Sequence, residues 1–437
     1  MNLQAPRGTT DLLPEQALAF NVLEQTALDV FSRYGYALIE VPTFEQLDVF
    51  VRGIGQSTDV IGKEMFFVYS MHAAEKLAAG ETLKADERLA LRPEATAGVA
   101  RAVVEHNLVP PGAAPAKFWY AGSMFRHERP QKGRLREFHQ IGAECIGAAE
   151  PTADAEVIIM LMRFFEAVGI PRQAMRLLVN SMGDEQCRPA YREKVREFIV
   201  AHSEQLCADC VRRAGTNPLR AFDCKNLSCQ QVLVDAPKLR DELCDDCRQH
   251  YQQVKDYLTA AGLSFEEAPR LVRGLDYYTR TVFEVQVVNG LGSQNAIGGG
   301  GRYDRLIEEF GGKPTPGLGF AVGMERIQLA LEANGCANRM QLSPQVFIVV
   351  VGAEQVSAAF DLALRLRDAN IRCELDHQAR SLKSQFKLAN KLDAQLCVII
   401  GPEELAQDEV KLRMMETGDE QTVASATLTE TIRKILP

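Results

Sequence analysis

The fold of this chain is decided by residues 118–146, FWYAGSMFRHERPQKGRLREFHQIGAECI. The alternation of side chains predicts two strands, and the basic stretch at residues 129–136 predicts the loop that joins them. Successive side chains of a strand point to opposite faces, so Arg126 and Glu128 are expected on one face of the first strand. The stretch therefore predicts a hairpin with charged groups fixed on one side.

The second predicted strand adds further polar groups to the hairpin. Gln140, Gly142 and Glu144 share one of its faces, and the residues between them are apolar. Charged groups held on a sheet need partners, because burying an unpaired charge is costly. A bound zwitterion or polyphosphate would supply those partners. A solvated hairpin with surface salt bridges fits the spacing equally well.

Length and composition limit the class of protein. At 437 residues the chain is expected to form two or three domains with a sizeable core. The net charge of −9 argues against non-specific coating of nucleic acid, although a local basic patch could still bind RNA. No apolar run reaches membrane-spanning length, and the N-terminus lacks a signal-peptide core. With eleven cysteines and no secretion signal, we expect a cytoplasmic protein.

Several motifs resemble those of one enzyme family. The string FRHE at residues 125–128, with the basic loop after it, resembles the second signature motif of class II aminoacyl-tRNA synthetases, and ERPQKGRLREFHQ is similar to its histidyl-tRNA synthetase form. RGLDYYTRTVFEV at residues 273–285 and GGGGRYD at residues 298–304 resemble two elements peculiar to histidyl-tRNA synthetases. Taken alone, the glycine run could be a flexible linker or could allow close backbone approach to a ligand.

The resemblance extends over essentially the whole chain. Residues 14–41 resemble the first class II motif, which forms a dimer interface in that family, and residues 316–326 resemble the third. The implied fold is α+β, an antiparallel sheet flanked by helices, with a helical insertion and a C-terminal α/β anticodon-binding domain. The implied reaction is ATP-dependent ligation of L-histidine to tRNA(His) through an adenylate, with Mg²⁺ beside the ATP phosphates.

The resemblance assigns nucleotide contacts to charged residues far apart in sequence. Arg126 would contact the α-phosphate of ATP, and Arg273 would face that phosphate from the other side. Arg326, at the start of a helix, would contact the other end of ATP, and Glu128 is a further candidate for ATP binding. Arg129 and Gln131 of the basic loop are candidate contacts to the acceptor end of tRNA.

The candidate histidine-binding residues lie in three motifs. Glu94 would pair with the ammonium group, and Thr96 beside it either takes part in this site or caps the following helix. Selection of an imidazole needs polar partners for both ring nitrogens. The candidates for that role are Glu144 and Tyr278, with Gln140 and Tyr277 nearby.

The predicted domain plan places a catalytic core at residues 1–335, a linker at 336–343 and an anticodon-binding domain at 344–437. Residues 184–262 interrupt the core, because this stretch is polar, helical and rich in cysteine. In the last domain a lysine stripe on one predicted helix is either a solvated face or an RNA contact. The stripe consists of Lys383, Lys387 and Lys391.

The insertion carries a possible zinc site. Two C-x-x-C pairs have the spacing of zinc ligands: Cys207 with Cys210, and Cys244 with Cys247. They lie further apart than the roughly 15–20 residues of a short zinc ribbon, and Cys224 and Cys229 between them leave the ligand set ambiguous. Free buried thiols are the alternative. A four-cysteine site would be structural, since it has no open coordination position.

Two rival functions share the same fold. One is a non-catalytic regulatory subunit of ATP phosphoribosyltransferase, which typically lacks the anticodon domain and the catalytic arginines. The other is a stand-alone RNA-binding protein without aminoacylation activity. The presence of Arg126, Arg273, Arg326 and residues 344–437 favours the enzyme.

Overall fold

The computed structural model divides the chain into two compact units, Met1–Arg339 and Met340–Pro437. Most of the predicted linker at residues 336–343 lies outside the described residues. These are 3–55, 58–131, 133–224, 226–272, 277–289, 291, 295–336, 343–378 and 380–436.

The first unit contains strands of two sheets. They are β1 (Ala37–Leu38), β2 (Phe44–Gln46), β3 (Phe67–Val68), β4 (Leu89–Leu91), β5 (Ala116–Phe125), β6 (Glu137–Ile146), β7 (Met175–Ser181), β8 (Glu266–Glu267), β9 (Thr279–Val287), β10 (Ala296–Arg302) and β11 (Gly317–Gly323). Its helices are α1 (Pro14–Ser32), α2 (Leu47–Ile54), α3 (Asp59–Lys63), α4 (Met71–Ala78), α5 (Thr96–Glu105), α6 (Pro151–Ala167), α7 (Arg188–Ala201), α8 (Ala208–Ala214), α9 (Leu227–Val232), α10 (Asp245–Ala260), α11 (Leu306–Glu309) and α12 (Met324–Ala333).

The main sheet of the described residues has eight strands in the order β1-β5-β6-β11-β10-β9-β7-β8. Neighbours from β5 to β7 pair antiparallel, and only the outer pairs β1/β5 and β7/β8 are parallel. A small second sheet has the order β2-β4-β3. The prediction of an antiparallel sheet flanked by helices is thus confirmed.

The hairpin of β5 and β6 pairs from Ala116 with Ile146 to Phe125 with Glu137, as its alternating pattern predicted. The structure corrects one detail. Arg126 and Glu128 follow the end of β5 instead of lying on its face. The backbone bends there because the amide of Glu128 donates to the carbonyl of Arg126 at 2.7 Å. The two side chains therefore project from a loop beside the sheet.

The glycine run lies inside a central strand, not in a loop or linker. Gly300 pairs with Phe320 on one side and Phe283 on the other. A Cβ at Gly300 would collide with the carbonyl oxygen of Gly319. At this position glycine allows the backbone of the neighbouring strand β11 to approach closely.

Helices α1 and α6 cover the back of the main sheet. Phe31 of α1 is fully buried against Trp119, Phe164 and Phe320, with ring centroids 5.3–6.0 Å apart. Aromatic pairs at this spacing contribute beyond the area they bury, by about 0.5–1.5 kcal/mol each. This layer holds the sheet rigid, so its opposite face can present fixed polar groups.

The helical region after β7 has its own hydrophobic cluster, which includes Tyr191, Val195 and Leu233. The region does not end as a separate body at residue 262, however. Helix α10 returns to the main core, where Val254 and Leu258 are fully buried. The mostly polar composition of α10 concealed its narrow apolar stripe, so the predicted end of the insertion falls inside the core of the catalytic unit.

The second unit contains a sheet in the order β13-β12-β14-β15-β16. Its elements are β12 (Val346–Val350), α13 (Val356–Asp368), β13 (Cys373–Leu375), α14 (Leu382–Lys391), β14 (Leu396–Ile400), α15 (Pro402–Ala406), β15 (Glu409–Met414), β16 (Glu420–Ala424) and α16 (Leu428–Ile435). Gln385 anchors α14 through two hydrogen bonds of its buried side-chain amide. Gln385 Oε1 accepts from the N–H of Val350 at 2.8 Å, and Gln385 Nε2 donates to the carbonyl of Val350 at 3.0 Å. This orientation leaves the predicted lysine stripe of α14 exposed.

No helix in the described ranges has both the length and the apolar character needed to cross a bilayer.

Candidate active site

A cavity of about 420 Å³ lies over the central strands of the main sheet. Residues of β6, β10 and β11, the start of α5, the loop after β5 and the start of α12 line it. The cavity brings together predicted residues from motifs far apart in sequence: Glu94, Thr96, Arg126, Glu128, Gln140, Glu144, Tyr277, Tyr278 and Arg326. Arg273 lies outside the described residues. Arg129 and Gln131 are exposed on the loop.

Glu144 is buried in the floor of this cavity and accepts hydrogen bonds from three hydroxyl groups. Thr96 Oγ1 donates to its Oε1 at 2.7 Å, Tyr120 OH donates to the same oxygen at 3.3 Å, and Tyr303 OH donates to Oε2. Burial raises the pKa of the Glu144 carboxyl to about 8, and the nearby charge of Glu94 adds to this effect, although the hydroxyls oppose it. The group is therefore poised to change its proton content near neutral pH.

Two glycines make room for this arrangement. The ring of Tyr120 crosses Gly142, where a Cβ would collide with it, and a Cβ at Gly319 would collide with Glu144 Oε2. Gly319 is the strand partner of Glu144. The aromatic ring of Tyr120 thus fills the space that Gly142 leaves on the sheet face.

We expect Gly319→Ala to weaken binding of L-histidine, the ligand that the motif resemblance implies, at least about tenfold, because the added methyl group displaces the Glu144 carboxylate and overpacks the floor. Isothermal titration with L-histidine measures this effect. Gly62→Ala is the matched control, since Gly62 is exposed and a Cβ there meets nothing within 4 Å. Equal histidine affinity in Gly319→Ala and the wild type would contradict the assigned position of the binding floor.

Glu94 lies at the strand–helix junction before α5. Its carboxylate accepts the N–H of Thr96 at 2.8 Å and the N–H of Ala97 at 3.0 Å. Thr96 is the first residue of the helix, so the expectation that it acts as the N-cap is wrong. Glu94 supplies the acceptor instead, which frees the Thr96 hydroxyl to donate to Glu144. Burial raises the pKa of Glu94, while these hydrogen bonds lower it.

Two arginines of the cavity are held by carbonyl oxygens. Arg126 Nε donates to Pro93 O at 2.9 Å, and its guanidinium lies 5.3 Å from the ring centroid of Phe138. Arg326 Nε donates to Gly133 O at 3.1 Å and Nη1 donates to Ala296 O at 2.8 Å. A carbonyl fixes a guanidinium without neutralising its charge. Burial lowers the pKa of Arg326, and the charges of Arg134 and Arg126 contribute to the shift. The charges of Glu128 and Glu284 oppose this shift, so this end of the cavity holds fixed charges of both signs.

Gln140 presents an unmatched acceptor in the same cavity. Within the described part of the chain its buried Oε1 atom has no hydrogen-bond partner. Buried polar atoms without a partner are rare and often mark the place of a ligand. A donor group of a bound molecule would satisfy this oxygen.

Sequence reasoning missed three members of the site. Tyr120 and Tyr303 bind the Glu144 carboxylate, and Glu325 accepts from the ring and the backbone of His139, each at 2.9 Å. Tyr120 lies directly across from Gly142 in the hairpin. An aromatic residue opposite a glycine is a signal that could have identified it.

The two C-x-x-C pairs of the insertion do not meet, which corrects the expected four-cysteine set. Cys207 and Cys210 lie with Cys224 and Cys229, whereas Cys244 and Cys247 lie with Cys187 and Asp184. Cys244 and Cys247 belong to the start of α10, which the main core holds in place, and Cys207 and Cys210 belong to the start of α8. Two further cysteines complete the first group, whereas one cysteine and one aspartate complete the second.

Comparisons with known proteins show the family of the chain. A histidyl-tRNA synthetase family model matches residues 8–327, and an anticodon-binding domain model matches residues 345–435. The chain is 45% identical to a histidine–tRNA ligase of Anaeromyxobacter sp. (strain K), covering 98% of this chain and 99% of the relative. It is 44% identical to that of Moorella thermoacetica, covering 98% of each.

A solved structure supports the same assignment. The S. aureus histidyl-tRNA synthetase is 32% identical, with a TM-score of 0.80 over 99% of this chain and 100% of that chain. The regulatory-subunit alternative is not favoured, because the full-length relatives are ligases. With its class II sheet, the charged cavity above it and matches along both units, the chain belongs to the histidyl-tRNA synthetase family of aminoacyl-tRNA synthetases.

Proposed function

We propose that this chain joins L-histidine to tRNA(His) in two steps at the cavity over β6, β10 and β11. In the first step, a carboxylate oxygen of histidine attacks the α-phosphate of ATP, and pyrophosphate leaves. In the second step, a hydroxyl at the 3′ end of tRNA attacks the carbonyl carbon of the adenylate, and AMP leaves. One observation carries the proposal: a single cavity contains both guanidinium groups, those of Arg126 and Arg326, and the buried carboxylates of Glu94 and Glu144.

The carboxylate of Glu144 and the guanidinium of Arg326 lie towards the two ends of β11, which suits a substrate made of an amino acid and a nucleotide. Gly319 of β11 pairs with Glu144, and Gly323 pairs with Gln140 just before the helix that carries Arg326. Four residues of a strand span about 13 Å. An aminoacyl-adenylate bound along β11 would thus place its amino acid near Glu144 and its nucleotide near Arg326.

The histidine end of the site offers acceptors that are already oriented. A carboxylate has about four lone-pair positions, and Glu144 uses three of them for hydroxyl donors. The remaining position would receive an imidazole N–H, with Tyr278 as the partner of the second ring nitrogen and Gln140 and Tyr277 nearby. Glu94, fixed by two backbone amides, would pair with the ammonium group. A site with paired hydrogen bonds rejects an analogue that lacks them by about 10⁴.

At the nucleotide end, the proposed contacts are Arg126 to the α-phosphate and Arg326 to the other end of ATP. Arg273 stays a sequence-based prediction for the opposite side of the α-phosphate. Because negative charge concentrates on that phosphate during attack, fixed positive charges lower the barrier without moving.

Magnesium would be held at carboxylate oxygens of the same cavity. Glu128 and Glu284 line it, and carboxylates are the protein ligands that Mg²⁺ prefers. Arg134 positions Glu128 at 2.8 Å, and the amide of Gln286 donates to Glu284 at 2.8 Å. The bound ion would neutralise charge on the β- and γ-phosphates.

The proposed tRNA contacts lie on exposed surfaces of both units. Arg129 and Gln131 of the loop after β5 would contact the acceptor end, and residues 344–437 would bind the anticodon. A homodimer is proposed through the opening helix and strand, where Leu38 of the edge strand β1 is 53% exposed. These activities belong to the cytoplasm, where tRNA is charged.

ATP–pyrophosphate exchange tests the proposal. We expect exchange that depends on L-histidine, followed by charging of tRNA(His) when the transcript is added. A regulatory subunit or a stand-alone RNA-binding protein would give no exchange with L-histidine, so its absence would overturn the proposed function.

A further inference from the structure

The cysteines of the helical region gather in two separate groups, each with four potential ligands. We propose that this region holds two structural metal ions, one in a tetrathiolate site and one in a mixed site of three thiolates and a carboxylate. The first group consists of Cys207, Cys210, Cys224 and Cys229, and the second of Asp184, Cys187, Cys244 and Cys247. Neither group resembles the single site expected from the C-x-x-C pairs.

The first group, called the thiolate site, has the dimensions of a tetrahedral site. Its sulfur atoms lie within 4.8 Å of one another, and Cys207 Sγ lies 3.8 Å from Cys224 Sγ. Metal–sulfur bonds of about 2.3 Å give a tetrahedron whose edges are about 3.8 Å long. The amide of Cys207 also donates to Cys229 Sγ at 3.1 Å, which fixes the position of that sulfur atom. Cys210 and Cys229 are fully buried.

The second group, called the mixed site, has similar dimensions. Cys187 Sγ lies 3.5 Å from Asp184 Oδ1, and Cys244 Sγ lies 3.8 Å from the same oxygen. With one oxygen ligand at about 2.0 Å, a tetrahedral zinc site has sulfur–oxygen edges of about 3.5 Å. The amide of Asp184 donates to Cys187 Sγ at 3.3 Å. The four potential ligands thus converge from the turn before α7 and the start of α10.

The turn into the mixed site is built around a glycine. Gly183 has φ +62°, which favours glycine, and a Cβ there would lie 2.6 Å from Cys187 Sγ. The backbone therefore has the shape needed to bring Asp184 and Cys187 onto one point.

Zinc is the ion that best fits both groups. Thiolate-rich tetrahedral sets select Zn²⁺, and four protein ligands leave no position for a substrate. The local structure also needs such support, because α8 and α9 are too short to be stable alone. Metal binding to these ligands contributes directly to the folding free energy of such segments.

The mixed site is connected to the cavity through β9. Arg280 of β9 lies 3.4 Å from Asp184 Oδ2, and its amide donates to Gly183 O at 2.8 Å. Arg188, one residue after Cys187, donates to the carbonyl of Tyr278 at 2.7 Å. A metal ion in the mixed site would therefore fix the start of the strand beside Tyr278. This consequence rests on the proposed function, whereas the metal content does not.

Metal analysis of the full-length protein tests the proposal. We expect two zinc ions per chain by mass spectrometry of metals after expression with added zinc. Cys224→Ser and Cys187→Ser should each retain one ion, and the control Cys336→Ser, outside both groups, should retain two. One ion or none in the wild type, or content unchanged in the two variants, would overturn the two-site proposal.

A second measurement does not depend on the folding of variants. A mercurial thiol reagent added to the wild-type protein should release two equivalents of zinc to a metallochromic dye. Disulfides within the groups, seen as mass losses on intact-protein analysis, would instead contradict metal binding. Cys187→Ser should raise the KM for histidine by about fivefold while Cys224→Ser leaves it unchanged. Equal KM values with one ion lost from each variant would refute only the connection through β9.

Discussion

Arg126→Ala is expected to slow L-histidine-dependent ATP–pyrophosphate exchange by about 10²–10³, because a preorganised charge is lost at the phosphate where negative charge develops. Pro93 O and the ring of Phe138 hold the wild-type guanidinium in place, so its charge needs no reorganisation during the reaction. Histidine binding, measured by titration without ATP, should change little, since Glu144 and Gln140 lie on β6, whereas Arg126 lies in the loop after β5.

Two further variants sharpen this result. Arg126→Lys keeps the charge but loses the planar donor geometry, so only part of the rate should return. Arg176→Ala is the control, because Arg176 pairs with Glu266 at the distant sheet edge and is half exposed. An exchange rate for Arg126→Ala within about threefold of wild type would remove Arg126 from the proposed phosphate site.

Glu144→Gln should raise the KM for L-histidine by about 10²-fold, since leaving a buried hydrogen-bonding group without its partner costs about 1–3 kcal/mol. An amide nitrogen cannot accept the hydrogen bond that Tyr303 or Thr96 donates to the wild-type carboxylate. The kcat for exchange should fall less than the affinity, because the arginines are unchanged. An unaltered KM would show that another residue selects the imidazole.

The same substitution should alter the pH dependence of stability. The folded-state pKa of Glu144 is about 8, above the ordinary value of 4.5, so folding takes up a proton between these limits. This contribution to stability is complete below about pH 4.5 and is lost as pH rises through 8, at about 1.4 kcal/mol per pH unit. Between pH 5.5 and 7.5, the free energy of unfolding of the wild type should therefore fall by about 2 kcal/mol relative to that of Glu144→Gln. Urea unfolding of the ligand-free proteins measures this difference, and parallel curves would contradict it.

The sequence predicted the hairpin and the polar floor because a strand has a strict period of two. Once β5 and β6 pair, Gln140, Gly142 and Glu144 must share a face. The helix cap was harder to assign. Thr96 has the residue type of an N-cap, yet the longer Glu94 side chain reaches forward to the amides of Thr96 and Ala97. The residue preferences of N-cap positions alone could not decide whether Glu94 or Thr96 accepts the hydrogen bonds of these amides.

The cysteine groups show that spacing in the sequence predicts only part of a ligand set. A C-x-x-C pair fixes only two neighbouring ligands, and the other two depend on the path of the chain between them. That path is set by α10, whose apolar stripe attaches it to α6 and so separates Cys244 from Cys207. No local sequence pattern predicts such packing between segments that lie far apart in the chain. Tyr303 was missed for a related reason, since it follows the end of β10 and its partner Glu144 lies far away in sequence, on β6.

Helix α10 also determines where this insertion could be cut out. A deletion of residues 184–262 would remove Val254 and Leu258 and expose the inner side of α6. Cys187 and Cys244, by contrast, belong to one group and lie close together, so the chain leaves the core and returns at nearly the same point. A short graft joining that neck would spare Val254 and Leu258, but it would also remove Arg188 and the apolar side chains that pack against Val282 of β9. A replacement segment would therefore have to supply an apolar surface for β9.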